Sequence, residues 1–198
     1  MTGHSRTPAV LAAVLLGGAL ALGWLGFSYA AGPDGRGESA ARTAHVQLRD
    51  QSGRPVGVVK LTQERGEGKV LVRSAAHDLP AGFHGFHVHA VGVCVPPFTS
   101  AGGHYNPAGT DHGDHAGDMP MLLVNGDGSA DLRFKTDRFA LEDLFDADGS
   151  AIIVHAAPDN YANIPDRYHS HTEDVFGPDS ATRATGDAGG RHACGVVR

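Results

Sequence analysis

The chain has 198 residues, enough for one domain with a hydrophobic core and few for two. Twenty-two Asp and Glu against 16 Lys and Arg leave a net charge of −6, so the surface as a whole offers little to a phosphate backbone, and no nucleic-acid partner is expected. Twenty-eight Gly and 11 Pro, with few aromatics and no long run of Leu, Glu, Lys and Ala, argue for short strands joined by many turns rather than for helices.

Met1 to Thr7 carries one arginine and no acid, and Ala9 to Phe27 is an apolar run of 19 residues, the pattern of an export signal. Ser28 and Ala30 put small residues where a signal peptidase that cuts after Ala30 needs them. The run is also just long enough to span a bilayer, so an uncleaved membrane anchor over residues 1–30 is the alternative. No cysteine lies nearby for the usual lipid attachment. Ala31 to Arg42 has no periodicity and reads as a flexible linker, with one domain over residues 43–198. Cys94 and Cys194 are the two cysteines, and export would take them to a compartment where a disulfide persists; two buried free thiols are the alternative.

Within the domain, Thr43 to Arg49, Pro55 to Thr62 and Lys69 to Ala75 have alternating or β-branched character and are separated by Gly-containing turns, which predicts three strands of a meander. Phe83 to His89 is predicted as a fourth strand. Met119 to Val124 and Ala130 to Lys135 form a hairpin across Asn125-Gly126-Asp127-Gly128. Ser150 to His155 and His192 to Val197 complete eight strands, and only Leu141 to Phe145 looks helical. Short strands with two long polar loops, Ala90 to Asp118 and Ala156 to Arg191, point to an all-β Greek-key barrel or sandwich of immunoglobulin-like kind. Loops of about 30 residues are uncommon in a compact domain unless they are functional.

Thirteen histidines are many for this length, and eight of them fall between His77 and His155 inclusive. Such clustering suggests metal. His87 and His89 are two apart on a predicted strand, so both rings leave one face of the sheet. His84 has the opposite parity and should face the interior as a structural residue bonded to backbone. His155 ends another apolar strand, at the mouth of a loop. His104 lies in the first long loop, followed by His112, His115 and Asp118. Three histidines with an aspartate make a zinc-like set, and four histidines a copper-like set. One histidine shared between the two would complete both from seven residues.

With these motifs in view, the sequence resembles the copper/zinc superoxide dismutase family over nearly all of Thr43 to Arg198. The resemblance is carried by Gly85-Phe86-His87-Val88-His89, Ser100-Ala101-Gly102-Gly103-His104-Tyr105-Asn106-Pro107, His115-Ala116-Gly117-Asp118, Ile153-Val154-His155 and the segment Gly186 to Val197. It implies an eight-stranded barrel holding one copper and one zinc per chain. Copper would be held by His87, His89, His104 and His155, and zinc by His104, His112, His115 and Asp118. It further implies a Cys94–Cys194 disulfide, an active-site guanidinium from Arg191, and a carboxylate at Asp159 joining the outer nitrogens of His87 and His112. Superoxide is then the substrate, converted to dioxygen and hydrogen peroxide by alternating copper redox with His104 as the shared ligand.

Two features depart from the family pattern. Only Gly113-Asp114 separates His112 from His115, a stretch commonly several residues longer, which puts the zinc geometry in question. His169-Ser170-His171, followed by Glu173 and Asp174, lies in the second long loop and reads as a solvated polar stretch, with an accessory metal-capture site as the sharper alternative. A non-catalytic copper-binding or copper-delivery module on the same barrel competes with the enzyme, but such domains typically lack a copper ligand or the arginine. The sequence allows a monomer or a homodimer, and after export a secreted, periplasmic or cell-surface placement, the last with the N-terminal segment as membrane anchor.

Overall fold

A computed structural model describes residues 41–198. The expected signal or anchor over residues 1–30 and nearly all of the expected linker lie outside the described residues. Among the described residues, no helix is long and apolar enough to cross a membrane.

The strands are β1 (Arg42–Asp50), β2 (Pro55–Gln63), β3 (Val70–Ala76), β4 (Gly82–His84), β5 (Phe86–His89), β6 (Leu122–Val124), β7 (Ala130–Thr136), β8 (Ala151–His155), β9 (His169–Ser170), β10 (Val175–Phe176) and β11 (Arg191–Val196). One antiparallel sheet runs β5-β8-β11-β1-β2-β3-β7, and β4 pairs separately with β6. Because β4 leads into β5 across Gly85, and β6 into β7 through the Asn125 to Ser129 turn, the sheet curls round as a Greek-key barrel. The eight expected barrel strands are present, with β4 and β5 as one interrupted strand and the β9–β10 hairpin belonging to the second long loop.

Sequence parity decides what fills the barrel. Along β1 the side chains alternate, with Ala44, Val46 and Leu48 buried and their neighbours exposed. They join Val59, Leu61, Val72, Phe86, Val88, Leu122, Ile152 and Val154 in one core. Strands β5 and β8 are buried on both faces. Phe86, Val88, Ile152 and Val154 face the barrel core, while Ala151 and Ile153 pack with Phe98, Ala101 and Cys194 in a second cluster. The first long loop therefore lies over the outer face of β8, and this covered outer face is where His87 and His89 emerge.

Three expectations are corrected. The strand over Phe83 to His89 is broken at Gly85, where an added Cβ would stand 2.6 Å from the Ala188 methyl, so the second long loop presses directly on the backbone there. The strand expected from Met119 starts only at Leu122, after Pro120, which has no N–H to give a ladder. Leu141–Phe145 is helical as expected, a 3-10 turn, but it is not alone, because the second loop carries an α-helix, α1 (Ser180–Thr185). Asp179 caps α1 by accepting from the Thr182 amide at 2.9 Å, and Gly186 ends it in the left-handed conformation.

Candidate metal centre

Barrel strands and long loops each bring part of the centre. His87 and His89 project from β5, and His155 ends the adjacent β8. The first long loop returns across β5, where it makes isolated bridges between His89 and His104 and between His87 and Asp118. His104, His112, His115 and Asp118 are thereby laid on the outer face of the same strand, all buried. Two groups of potential ligands result: His87, His89, His104 and His155, and His104, His112, His115 and Asp118. His104 belongs to both.

In the first group, neighbours fix which ring nitrogen is offered. His89 Nδ1 donates to the Gly102 carbonyl at 3.0 Å and His155 Nδ1 to the Gly189 carbonyl at 3.2 Å, leaving their Nε2 atoms 3.3 Å apart. His87 is the reverse case, because its Nε2 donates to Asp159 Oδ2 at 2.6 Å. Its Nδ1 is buried and has no hydrogen-bond partner. A buried ring nitrogen with an unused lone pair is costly unless something binds it. The Nδ1 of His87 belongs with three other imidazoles, a nitrogen set suited to copper.

The second group is tighter. Asp118 Oδ1 is 3.1 Å from His104 Nδ1, 3.2 Å from His112 Nδ1 and 3.4 Å from His115 Nδ1. His104 Nδ1 is 3.2 Å from both His112 Nδ1 and His115 Nδ1. A tetrahedral zinc with bonds of about 2.0–2.1 Å has ligand–ligand edges of about 3.3–3.4 Å, so these spacings fit the ion. The shortened interval between His112 and His115 has not moved either ring out of reach.

Asp159 joins the two groups from behind. Its second oxygen accepts from His112 Nε2 at 2.8 Å and from the Tyr161 amide at 2.7 Å. The carboxylate thus places the protons of His87 and His112 on Nε2 and turns both Nδ1 atoms toward the ligand groups. Burial pushes His87 down to about 4, against the pull of Asp159, and His155 to about 3, with the nearby His87 adding to the effect; His89 is likewise well below its usual value. These rings are neutral at pH 7, with lone pairs free for a metal. Burial opposes charge on His112 too, but its hydrogen bonds to Asp118 and Asp159 outweigh it and lift the ring to about 9. For both carboxyls burial acts upward and is overcome by hydrogen bonds accepted from histidines, which hold them well below the usual carboxylate range.

A cleft of about 360 Å³ opens over the first group, lined by Gly103, His104, His155, Thr185, Asp187 and Arg191 among others. Arg191 is paired with His155 across β11 and β8. Its guanidinium donates to the Phe98 carbonyl at 2.5 Å and the Gly102 carbonyl at 2.6 Å, both on the first long loop. That loop is tied to β11 by the Cys94–Cys194 disulfide, with the Cα atoms 5.8 Å apart. No free cysteine remains.

His84 is buried, with its ring nitrogens 2.7 and 2.8 Å from the carbonyls of His155 and Pro80. His169 and His171 join no group of three or more candidate ligands among the described residues. His169 Nε2 instead pairs with Asp174 at 2.9 Å, and its ring packs edge-on to Phe176 within the β9–β10 hairpin. Sequence reasoning missed Arg138, Tyr161 and Gly186. Arg138 donates to the carbonyls of Gly113 and His115, Tyr161 braces Asp159, and Gly186 leaves room for the Asp159–His112 bond, into which an added Cβ would collide. Only Gly186 carried a signal, as the first residue of the segment Gly186 to Val197 that carries part of the family resemblance.

Comparison with known proteins gives the same family. The family model described as copper/zinc superoxide dismutase matches residues 56–197. The "Superoxide dismutase [Cu-Zn]" of Mycolicibacterium paratuberculosis is 39% identical over 171 residues, covering 80% of this chain and 75% of the relative. That of Mycobacterium tuberculosis is 38% identical over 188 residues, covering 88% of this chain and 78% of the relative. A "Superoxide dismutase-like protein YojM" of Bacillus subtilis is 33% identical over 172 residues, covering 81% and 78%. Among solved structures, a SOD-like protein from Bacillus subtilis superposes with a TM-score of 0.61 at 32% identity, covering 77% of this chain and 96% of that one. With the family model spanning most of the domain and these relatives aligned along most of its length, the chain belongs to the copper/zinc superoxide dismutase family.

Proposed function

We propose that the chain is an active superoxide dismutase, with copper at His87, His89, His104 and His155 and zinc at His104, His112, His115 and Asp118. The observation that carries this reading is the unpartnered Nδ1 of His87, in a complete four-histidine group beneath a cleft that also holds Arg191. When bound, copper supplies the electron relay by which one superoxide leaves as dioxygen and a second as peroxide. Arg191 docks the anion with a guanidinium that stays charged at any working pH. His104 lines the cleft and has Nδ1 committed to the zinc group, so its Nε2 is the atom that holds a proton for the departing peroxide. The second proton comes from water. All seven residues of the two groups are buried, so packing restricts their movement and limits the size of what reaches them.

The apolar segment over residues 1–30 and the disulfide together support action outside the cytoplasm. A superoxide-consumption assay with metal analysis on the same purified sample tests the activity. His155→Ala is expected to abolish turnover and lower copper content while zinc and fold persist, because the residue ends a strand and is not part of the core. Substantial activity in that variant at full copper loading would contradict the ligand assignment. Copper binding in the wild type with no turnover would favour a non-catalytic copper-binding module.

A further inference from the structure

We propose that Arg138 is a positioning residue for the zinc group, standing in for the length missing from the segment between His112 and His115. The inference rests on the zinc reading above. Arg138 follows the end of β7 and is remote in sequence from that segment. Its Nη1 donates to the Gly113 carbonyl at 2.8 Å and to the His115 carbonyl at 3.0 Å. On the opposite side of the same two residues, the Gly113 and His115 amides donate to Asp118 Oδ2 at 2.7 and 3.1 Å. Gly113 is pressed from a third direction, where its φ of +92° and an added Cβ only 2.7 Å from the Tyr161 carbonyl leave no slack.

A longer loop can satisfy its own carbonyls and choose a path that aims both histidines inward. With only Gly113 and Asp114 between them, the segment closes short turns through the Asp114 amide to the Asp111 carbonyl and the Asp118 amide to the His115 carbonyl, both at 3.1 Å, and its Gly113 carbonyl is held from outside by Arg138. Arg138 and Asp118 hold the two residues between them, with one guanidinium nitrogen making both of the arginine's hydrogen bonds while Nη2 stands 3.8 Å from Asp114 Oδ1. The side chain touches neither ligand nitrogen, so it acts through the backbone of His115 and Gly113. Holding that backbone holds the 3.2 Å and 3.4 Å spacings that suit the ion.

Cobalt(II) titrated into the metal-free protein, followed by its visible ligand-field bands, reports both affinity and geometry at a tetrahedral site, and zinc competition against a chelator gives the affinity for zinc itself. Partners of this kind typically change metal affinity by about 10–100-fold when removed. Arg138→Ala is expected to weaken cobalt and zinc binding by at least about tenfold and to shift or broaden the cobalt bands, with the thermal transition of the metal-free protein little changed. Arg138→Lys, which keeps the charge but not the reach of the guanidinium, should lie between wild type and the alanine variant, and it keeps the comparison open should Arg138→Ala fold poorly. Wild-type affinity and an unaltered spectrum in both variants would overturn the positioning role while leaving the zinc site standing. A loss of metal-free stability with unchanged affinity would do the same. If wild type and Asp118→Ala are alike in binding no cobalt or zinc, the zinc reading itself fails, and the role of Arg138 falls with it.

Discussion

Four of the six histidines of the centre have their proton placed by a specific acceptor: Asp159 for His87 and His112, the Gly102 carbonyl for His89, and the Gly189 carbonyl for His155. The nitrogen left over is the one that can bind metal, so the choice between Nδ1 and Nε2 at each of these four rings is a property of its neighbours. Arg191 shows the same dependence in a cation. Two loop carbonyls hold its guanidinium at the edge of the cleft beside His104 and His155, and they leave its charge uncompensated because carbonyls are neutral. In a chain of net charge −6, such a fixed cation above a buried centre is a local focus for a small anion. Arg191→Glu should therefore slow turnover by at least about tenfold at low ionic strength, since steering of this kind changes association rates by roughly ten- to a thousandfold. Arg191→Lys should lose much less, with copper content unchanged in both. Wild-type rates should fall as salt rises, and the charge-reversed variant should fall less or gain. Retained wild-type rate and salt dependence in Arg191→Glu would remove the docking role.

Period-two patterning made most of the barrel legible, because β1, β2, β3 and β7 each pair one buried face with one exposed face. The same parity assigned His87 and His89 to one side of their strand. What parity does not contain is what lies against the other side. The break at Gly85, the two-residue strands β9 and β10, and the six-residue α1 all depend on how the second long loop settles on the barrel, and no local pattern encodes that contact. Arg138 was illegible for a related reason: an arginine after a strand is ordinary, and the groups it hydrogen-bonds are two carbonyls with no side-chain signature. Gly85 gives this dependence a test. A methyl there would stand 2.6 Å from Ala188, 3.0 Å from His87 Cε1 and 3.3 Å from His155 Cβ. Overpacking of this kind typically costs about 1–3 kcal/mol. Gly85→Ala should lower the denaturant midpoint of the metal-free protein accordingly and weaken copper retention. Gly68→Ala, with nothing within 4 Å and an exposed site, should leave both unchanged. Equal stability of the two variants would show that the loop yields at Gly85.

Across the domain described, the face that carries the histidine groups is a covalent and hydrogen-bonded lamination of loop onto barrel. Three of the four copper-group histidines ride on barrel strands, whereas His104 and the carbonyls that hold Arg191 belong to the first long loop. The Cys94–Cys194 disulfide ties that loop to β11 next to the Phe98, Ala101 and Ile153 cluster. It spans 100 residues of sequence. Closing a loop of about that size in the unfolded chain is worth roughly 4 to 5 kcal/mol on the chain-entropy account. For a domain of this size each kcal/mol corresponds to about 2–4 °C, so Cys94→Ser should melt on the order of 10 °C lower than wild type. The consequence should also reach function unevenly. His87, His89 and His155 keep their barrel supports, so copper affinity should fall modestly, while the loosened carbonyls of Phe98 and Gly102 should release Arg191. The expected signature is a variant that still binds copper, turns over more slowly, and has lost much of the salt dependence of the wild type. Calorimetry, metal analysis and superoxide consumption on the same samples check all three. An unchanged melting transition would show that the packing around Phe98 holds the loop without the bond.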